Sequence, residues 1–369
     1  MKKVVIVTIL DNVNFGTFLQ VLALGKILEA KGFNVEVVKY IRPTRTPKNL
    51  SKNFWSKNIV KNLYHFFLNI PLILLLRRKD HMFIKKHLPV SKKYTSFDAL
   101  KHNPPMADIY LTGSDQVWNS YYNGGIDRSF YLDFAPSGND KVAYGASIGM
   151  SDFPENEKKT TRELLEQYKS ISVREQQAKQ ILENLGLQNI EVVLDPTLLL
   201  TKTDWEKLID ISVFKKKEPY LLVYSVEKAE DELVKDIALK VAQNKKMPIY
   251  CISSEGKLHG LRLGKKRFTR ATPPHFISLF AQADFTVVSS FHGTAFSINM
   301  NKNFITISPS KFNSRIDNLL NICGLQERKI SDIKSFSDKL LDDIDYSVVN
   351  HILTNERDKS MDFINKAIK

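Results

Sequence analysis

The chain alternates short apolar runs with amphipathic segments of helical length. The first run, Lys3–Leu10, is almost continuously apolar, as in a strand that is buried on both faces of a parallel sheet. From Thr17 to Lys31 apolar residues recur at helical spacing, and Gly32 follows as a residue that commonly ends helices. Since Asn34–Lys39 is again strand-like, the first 39 residues predict a strand–helix–strand unit.

The same alternation continues along the chain and starts afresh after the segment Thr201–Pro219. Further strands are predicted at 107–112, 141–148, 170–173, 191–194, 220–226, 248–253, 285–290 and 303–308, separated mostly by helices. We predict an α/β protein with two doubly wound, Rossmann-like domains that face each other across a cleft. Their bounds are 1–205 and 206–345, and a helix at 346–369 is expected to pack back on the first domain.

One histidine lies at the end of a predicted strand and the start of a predicted helix. The strand at 285–290 leads directly into Phe291–Thr294, so His292 is expected at the ligand-facing edge of the second sheet. Backbone N–H groups at a helix start favour anions, and a histidine beside an anion can act as a general acid. The alternative is a histidine that only caps the helix or fills a polar corner.

The segment Gly113–Asn119 places several polar groups after another strand. Asp115 can accept a proton from a sugar hydroxyl or orient it, and Trp118 can stack on a sugar face. The alternative, which the sequence slightly favours, is a turn in which the aspartate caps a helix and the tryptophan fills the core. Ser114, Gln116 and Asn119 belong to the same candidate acceptor site.

Other candidate ligands follow other strands. Arg174 ends an apolar strand, where a guanidinium suits bidentate capture of phosphate or carboxylate, although it can instead pair with Glu175 or another acid. Lys311 and Arg315 follow the histidine segment and can clamp a phosphate. The remaining candidates for the cleft are Asn14, Gly16 and Asp195.

Most of the net charge of +14 comes from one stretch. Between Arg42 and Lys93 there are 13 Lys or Arg residues against a single acid, Asp80, so 13 − 1 = +12. The apolar run 66–76 in this stretch is shorter than the ~20 residues that span a bilayer. The cluster Arg77, Arg78 and Lys79 is therefore a candidate for docking on an anionic membrane surface. The alternative is an insertion whose apolar side packs on its own domain or on a second subunit.

Composition and motifs exclude several other classes. The chain has an ordinary globular composition, and its two cysteines, Cys251 and Cys323, have no metal-ligand spacing. The apolar run at the amino terminus is interrupted by Asp11 and Asn12 and has no cleavage site, so a cytoplasmic location is expected. Dinucleotide, P-loop and zinc motifs do not occur, which predicts no cofactor and no metal.

Together these motifs resemble the polysaccharide pyruvyl transferase family from the first strand to about Gly324. The first loop departs from the family pattern, because Asp11–Val13 stands where a further glycine is usual. The segments that carry the resemblance are Asn14–Gln20, Gly113–Asn119, Tyr144–Gly149, Ser172–Glu175, Leu194–Thr197 and Ser290–Thr294.

The resemblance implies a GT-B-like fold and transfer of pyruvate from phosphoenolpyruvate to a sugar as a cyclic ketal. It implies that His292 is the acid or base and that Arg174, with Lys311 or Arg315, binds the anionic donor. Ser290, Gly293 and Thr294 are expected to bind the donor beside the histidine. The expected acceptor is a cell-surface polysaccharide precursor that is linked to a polyisoprenyl pyrophosphate at the inner face of the membrane.

Two other functions remain open from the sequence. A nucleotide-sugar glycosyltransferase of GT-B type has the same predicted architecture, but it releases a nucleotide and does not consume phosphoenolpyruvate. A non-catalytic protein that binds an anionic polymer through 42–93 is the second alternative. It leaves the polar strand ends unexplained, and we expect no nucleic-acid partner.

Overall fold

A computed structural model describes residues 1–11, 14–46, 49, 62–63, 65–226, 228–253, 263–308 and 313–369. The chain divides into two compact units. The first contains Met1–Pro196 and Lys359–Lys369, and the second contains Thr197–Asp358. The last helix, Tyr346–Ala367, therefore contributes its first half to the second unit and its second half to the first.

A parallel sheet organises the first unit. Seven strands in its described residues have the order β3-β2-β1-β4-β5-β6-β7, and β1 lies between β2 and β4 with Val4 opposite both Val35 and Ile109. The sheet edge at the carboxyl ends of the strands carries the candidate residues of this unit. The strands are Lys3–Val7 (β1), Asn34–Tyr40 (β2), Val90–Tyr94 (β3), Ile109–Thr112 (β4), Asp140–Ala146 (β5), Ser170–Val173 (β6) and Ile190–Val192 (β7).

Helices cover the first sheet, and two of them pack on each other. The first helix is buried along almost its whole length because the helix of the basic insertion covers it. Phe18 of the first meets His81 of the second edge to face, with 6.0 Å between ring centroids. The helices are Phe15–Ala30 (α1), Ile70–His87 (α2), Phe97–His102 (α3), Ser120–Asn123 (α4), Glu155–Leu165 (α5) and Gln176–Asn184 (α6), and a π-helical turn at His65–Asn69 precedes α2.

A second parallel sheet forms the core of the second unit. Six strands in the described part of this unit have the order β10-β9-β8-β11-β12-β13. Val223, Val287 and Ile305 of neighbouring strands share an apolar cluster with Ile237 of a covering helix. The strands are Leu221–Tyr224 (β8), Ile249–Ile252 (β9), Lys266–Phe268 (β10), Phe285–Val288 (β11), Asn303–Ile307 (β12) and Lys329–Ile330 (β13).

The helices of the second unit follow the predicted alternation with shifts of a few residues at their ends. They are Pro196–Leu199 (α7), Lys202–Leu208 (α8), Asp231–Lys245 (α9), Pro273–Gln282 (α10), Phe291–Asn299 (α11), Ser314–Cys323 (α12) and Tyr346–Ala367 (α13), of which α7 begins at the last residue of the first unit.

Short 3₁₀ turns occur in both units. They lie at Pro43–Arg45, Arg128–Tyr131, Ile211–Val213, Lys228–Glu230, Gln326–Arg328, Ile333–Ser335 and Asp338–Leu341.

The last helix is anchored within each unit separately. In the first unit, the backbone N–H of Leu194 donates to Ser360 Oγ at 2.9 Å, and the ring of Phe363 packs against Tyr144. In the second unit, Arg357 Nε donates to the carbonyl oxygen of Leu198 at 2.7 Å. Ser360 thus fixes the residue that directly precedes Asp195.

Candidate active site

His292 lies in the first turn of α11, immediately after β11. Ser290 caps this helix, because its Oγ accepts a hydrogen bond from the backbone N–H of Gly293 at 3.1 Å. The helix begins at Phe291, so the histidine belongs to the helix itself. His292 is only 5% exposed, which is less accessible than expected for a proton donor at a ligand-facing edge.

Two residues next to the histidine have structural roles that the sequence did not reveal. A Cβ on Gly293 would lie 2.9 Å from the Cβ of Val288 and 3.1 Å from Tyr224, so the helix packs too closely on the sheet for a side chain there. The hydroxyl of Thr294 is buried and shares hydrogen bonds with the Ser290 carbonyl and with Thr306. The expected donor contact through the Thr294 side chain conflicts with this packing.

Arg315 lies beside the histidine turn in the same unit. Its guanidinium carbon is 5.8 Å from the ring centroid of Phe291, the residue before His292. A half-buried cation next to a helix amino terminus creates a positive potential that attracts anions. Lys311, the other predicted phosphate ligand, lies outside the described residues.

The polar cluster of the first unit is centred on Arg174, at the end of β6. Arg174 Nη1 lies 2.6 Å from Asp195 Oδ2, and Nη2 lies 3.8 Å from Asp115 Oδ1. The guanidinium is almost fully buried. Burial alone lowers the pKa of Arg174, but the nearby charges of Asp195, Asp115 and Glu175 raise it above its ordinary value. The arginine therefore remains a cation within a cluster of carboxylates.

This arrangement changes the expected role of Arg174. The charges of Asp195, Asp115 and Glu175 all act on the guanidinium, and Asp195 is in direct contact with it. The charge of the arginine is therefore already compensated by Asp195 at 2.6 Å, which leaves less attraction for a further anion. Capture of phosphoenolpyruvate by Arg174 is not supported by this geometry, and the alternative of an ion pair with a neighbouring acid describes it better.

Asp115 has an unusual backbone conformation at the end of β4. Its φ of 87° lies in the left-handed region, which residues other than glycine rarely adopt. Oδ2 accepts from the Thr17 hydroxyl at 2.9 Å, and Oδ1 accepts from the backbone N–H of Gln116 at 2.8 Å. Backbone strain at a residue whose carboxylate is fixed by hydrogen bonds is often found at functional positions, so the geometry favours a chemical role for Asp115.

Most of the other predicted acceptor residues are structural. Trp118 is fully buried, stacks on Tyr131 and donates from Nε1 to the Phe130 carbonyl at 3.2 Å. The expectation that it stacks on a sugar is wrong, because both the ring and its N–H are enclosed. Ser114 donates to Asp195 at 2.9 Å, and Asn119 caps α4 through the N–H of Tyr122. Gln116, which is half-buried, accepts from Asn119 at 2.7 Å.

Asn14 and Gly16 form the start of α1. Asn14 is the helix cap, and its Oδ1 accepts from the backbone N–H of Gly16 at 3.0 Å. The glycine lies inside the first helical turn. Both residues therefore hold the helix that presents Thr17 to Asp115.

Two groups of buried polar residues were not predicted. Glu175 Oε1 accepts from Ser147 Oγ at 2.7 Å and from the backbone N–H groups of Ile148 and Gly149, which fixes the loop after β5. Asp11 pairs with Arg42, with 2.6 Å between Oδ1 and Nη2. Burial raises the pKa of Asp11, but the charge and hydrogen bonds of Arg42 outweigh it, so the pKa is lowered overall. In the sequence, these residues were marked only as charged residues that follow the ends of predicted strands.

The three clustered cations of the basic insertion differ in how exposed they are to solvent. Arg77 is buried and donates from Nη1 to the Arg45 carbonyl at 2.9 Å, so it cannot rest on a membrane surface as predicted. Arg78 and Lys79 are exposed. In the described part of the chain, every helix is too short or too polar to cross a bilayer.

Comparisons with known proteins agree with the fold and the motifs. A family model described as polysaccharide pyruvyl transferase matches residues 14–311. No curated protein sequence matches the chain.

Solved structures resemble the chain over nearly its whole length. A putative UDP-N-acetylglucosamine 2-epimerase from Listeria monocytogenes has a TM-score of 0.52 at 9% identity, covering 95% of this chain and 90% of its own. The UDP-GlcNAc 2-epimerase from Methanocaldococcus jannaschii has a TM-score of 0.50 at 10% identity, covering 96% and 93%. The glycosyltransferase SsfS6 from Streptomyces sp. SF2575 has a TM-score of 0.43 at 14% identity, covering 97% and 96%. The predicted fold of two parallel-sheet α/β domains is confirmed by the two sheets and by the likeness to the two epimerase structures.

Proposed function

Because the chain belongs to the polysaccharide pyruvyl transferase family, we propose that it transfers the three-carbon group of phosphoenolpyruvate to a sugar as a cyclic ketal. The acceptor is a sugar of a lipid-linked precursor of a cell-surface polysaccharide. The observation that carries the proposal is the position of His292 in the capped first turn of α11, with Arg315 over the adjacent Phe291. A cation and a helix amino terminus suit the phosphate and carboxylate of the donor.

The proposed reaction begins with proton transfer to carbon. The His292 imidazolium gives its proton to the methylene carbon of phosphoenolpyruvate, which leaves an oxocarbenium-like centre at C2. A sugar hydroxyl adds to that centre and gives its proton to the His292 imidazole, which has just lost one. A second hydroxyl of the same sugar then displaces phosphate, which takes up the proton of that hydroxyl, and closes the ketal. The products are one ketal and one inorganic phosphate for each donor and diol consumed.

Two of the acidic side chains near Arg174, Asp115 and Asp195, have different proposed roles. Asp115 is hydrogen-bonded at both oxygens and lies in a strained turn, so it can orient a hydroxyl that approaches it. Asp195 is committed to Arg174 and Ser114, so it positions the cluster. In this proposal Arg174 holds Asp115 in place, and the donor anion is bound by groups near His292.

The central experiment measures phosphate release from phosphoenolpyruvate with a panel of lipid-linked galactosides. Mass spectrometry of the acceptor should show the gain of one pyruvate less one water. His292→Ala should lower turnover by about 10²-fold or more, the usual range for a lost general acid. His351→Ala removes an exposed histidine of the same unit and should leave turnover unchanged.

Two results would contradict the proposal. Ordinary turnover by the His292→Ala protein would remove the imidazole from the mechanism. Nucleotide release from a nucleotide sugar, without any consumption of phosphoenolpyruvate, would replace the reaction by glycosyl transfer.

The same proposal places the protein at the inner surface of a membrane. Phe66, Phe67 and Leu68 precede α2 and are 59%, 65% and 57% exposed. A segment that exposes these aromatic residues as well as the cations Arg78 and Lys79 suits an interface with anionic lipid. Flotation with phosphatidylglycerol vesicles should weaken in a Phe66→Ser, Phe67→Ser double variant, and equal flotation of that variant would exclude this surface.

A further inference from the structure

The basic insertion encloses a cavity that the proposed reaction does not use. It has a volume of about 490 Å³ and lies between β2, β3, the turn after β2 and α2, entirely within the first unit. This size is in the usual range of small-molecule sites. Among the described residues that line it, six are Lys or Arg and none is Asp or Glu. The six cations are Lys39, Arg45, Arg77, Arg78, Lys85 and Lys93.

The cations of this pocket differ from the buried arginines of the unit, because only Arg77 among them is buried. Arg42 is paired with Asp11 and Arg174 with Asp195. By contrast, within the part of the chain that the structure describes, the pocket cations other than Arg77 form no ion pair. Burial lowers the pKa of Lys39, and the charges of Lys93 and Lys85 lower it further. Mutual repulsion of this kind is relieved when an anion binds among the cations.

Two side chains that line the pocket, Arg77 and His81, are held in place before any ligand binds. Arg77 is buried, and its Nη1 donates to the carbonyl oxygen of Arg45 at 2.9 Å, which joins α2 to the turn. His81 also lines the pocket and packs against Phe18. Pre-organised donors reduce the entropy cost of binding an anion.

Part of the wall is apolar, and Thr46, Ser91 and Thr95 add hydroxyl groups to it. Ile41, Leu74, Met82 and Val90 line the same cavity. Met82 and Leu75 of α2 are exposed, as are Phe66 and Phe67 before the helix. A small inorganic anion would use the cations and leave these apolar groups in water. A ligand with a phosphorylated head and a hydrocarbon chain uses both.

We propose that this pocket binds the phosphate or diphosphate head of a lipid whose apolar chain lies along the exposed face of α2. The chemistry is that of a phosphate ester on a hydrocarbon chain, and it has two sources, an isoprenoid diphosphate or a membrane phospholipid. The connection of this pocket with catalysis rests on the proposed function. If the acceptor sugar is linked to a lipid diphosphate, the ligand of the pocket is the lipid carrier of that sugar.

The test titrates the full chain with farnesyl diphosphate in a calorimeter, below the concentration at which the lipid aggregates. Farnesyl diphosphate should bind at least about tenfold more tightly than inorganic pyrophosphate, and farnesol should not bind. Equal affinity for pyrophosphate and farnesyl diphosphate would overturn the proposal, because the apolar wall would then contribute nothing. Phosphatidylglycerol vesicles form the second arm, which identifies a phospholipid source if they compete with farnesyl diphosphate.

Charge reversals on α2 provide a matched pair of variants. Arg78→Glu with Lys85→Glu changes two cations of the pocket, whereas Lys79→Glu with Lys86→Glu changes their neighbours, which are also exposed but do not line the cavity. The two double variants have the same net charge. The first pair should lower the affinity for farnesyl diphosphate at least about tenfold, and the second should keep it within about twofold.

The results distinguish binding in this pocket from general electrostatic attraction to the basic surface, and they test the pocket independently of the proposed reaction. Equal losses in both double variants would assign the cations to general electrostatic attraction and overturn the pocket. Thermal melting checks that all variants are folded. His292→Ala should bind farnesyl diphosphate normally, so failure of the pocket and failure of the proposed reaction give different results.

Discussion

Arg174 and Asp195 form a buried ion pair in which Nη1 and Oδ2 are 2.6 Å apart and the two residues are 3% and 2% exposed. Asp195 also accepts from Ser114 at 2.9 Å, and Asp115 lies 3.8 Å from the other side of the guanidinium. The pair thus joins the ends of β4, β6 and β7. Removing one partner leaves a charge inside the unit with less compensation, whatever reaction the site performs.

Asp195→Asn should therefore lower the free energy of unfolding by about 3 kcal/mol. Urea unfolding measures the change. Asp140→Asn is the control, because Asp140 pairs with Lys169 at 2.7 Å but the two side chains are 38% and 40% exposed. The free energy of unfolding of Asp140→Asn should fall by less than about 1 kcal/mol. Equal decreases in the two variants would show that the buried pair of Arg174 and Asp195 stabilises the fold no more than the exposed pair.

The central strands were predictable because parallel strands that are buried on both faces are continuously apolar. Val4–Val7 and Phe285–Val288 have this pattern, and His292 follows the end of the second of these strands. Strands β3, β10 and β13 were missed. They lie at sheet edges and are short or rich in lysine, so neither length nor hydrophobicity distinguishes them from loops.

The candidate site was less predictable than the fold, because the sequence does not show which partner a polar side chain chooses. Thr294 and Ser114 are hydrogen-bonded within their own unit. Arg77 belongs to a consecutive basic cluster, yet it is buried whereas Arg78 is exposed. Adjacent positions of a helix point about 100° apart, so a run of like charges necessarily divides between surface and interior.

Trp118 provides a test that separates a packing role from a binding role. Trp118→Phe loses the hydrogen bond to the Phe130 carbonyl and part of the stacking on Tyr131. We expect a loss of about 1 to 3 kcal/mol of stability, with the KM for the acceptor unchanged within about twofold. Trp205→Phe is matched, since Trp205 is also fully buried and donates to the Thr197 carbonyl at 3.1 Å. An increase in acceptor KM for Trp118→Phe alone would restore the sugar-stacking role.

Gly149 should be intolerant of a side chain for two separable reasons. Its φ is +68°, and a Cβ there would lie 2.1 Å from Gln116 Oε1, which accepts from Asn119. Gly32 has a φ of +86° and nothing within 4 Å of its added Cβ, so Gly32→Ala measures backbone strain alone, about 1 kcal/mol. Gly149→Ala should cost about 1 kcal/mol more in urea unfolding, since the Gln116–Asn119 hydrogen bond must break. Equal costs would mean that Gln116 moves aside without loss.

Asp80 should make stability depend on pH. Burial raises the pKa of its carboxyl to about 7 from an ordinary value of 3.8, although the charge of Lys79 opposes this rise. Between these two values the folded protein binds a proton that the unfolded chain has lost, so stability falls as pH rises through this window. The slope attributable to Asp80 is about 1.4 kcal/mol per pH unit in the middle of the window.

The comparison that isolates Asp80 is between the native protein and Asp80→Asn. The amide does not titrate, so the variant should gain stability relative to the native protein as pH rises from 5 to about 8. Lys79→Gln should shift the transition to higher pH, because Lys79 lowers the pKa of Asp80. His81, whose pKa burial lowers to about 4, contributes a slope of opposite sign in both proteins and cancels in the difference. Parallel pH profiles for the native protein and Asp80→Asn would show that the Asp80 carboxyl titrates alike in the folded and unfolded states.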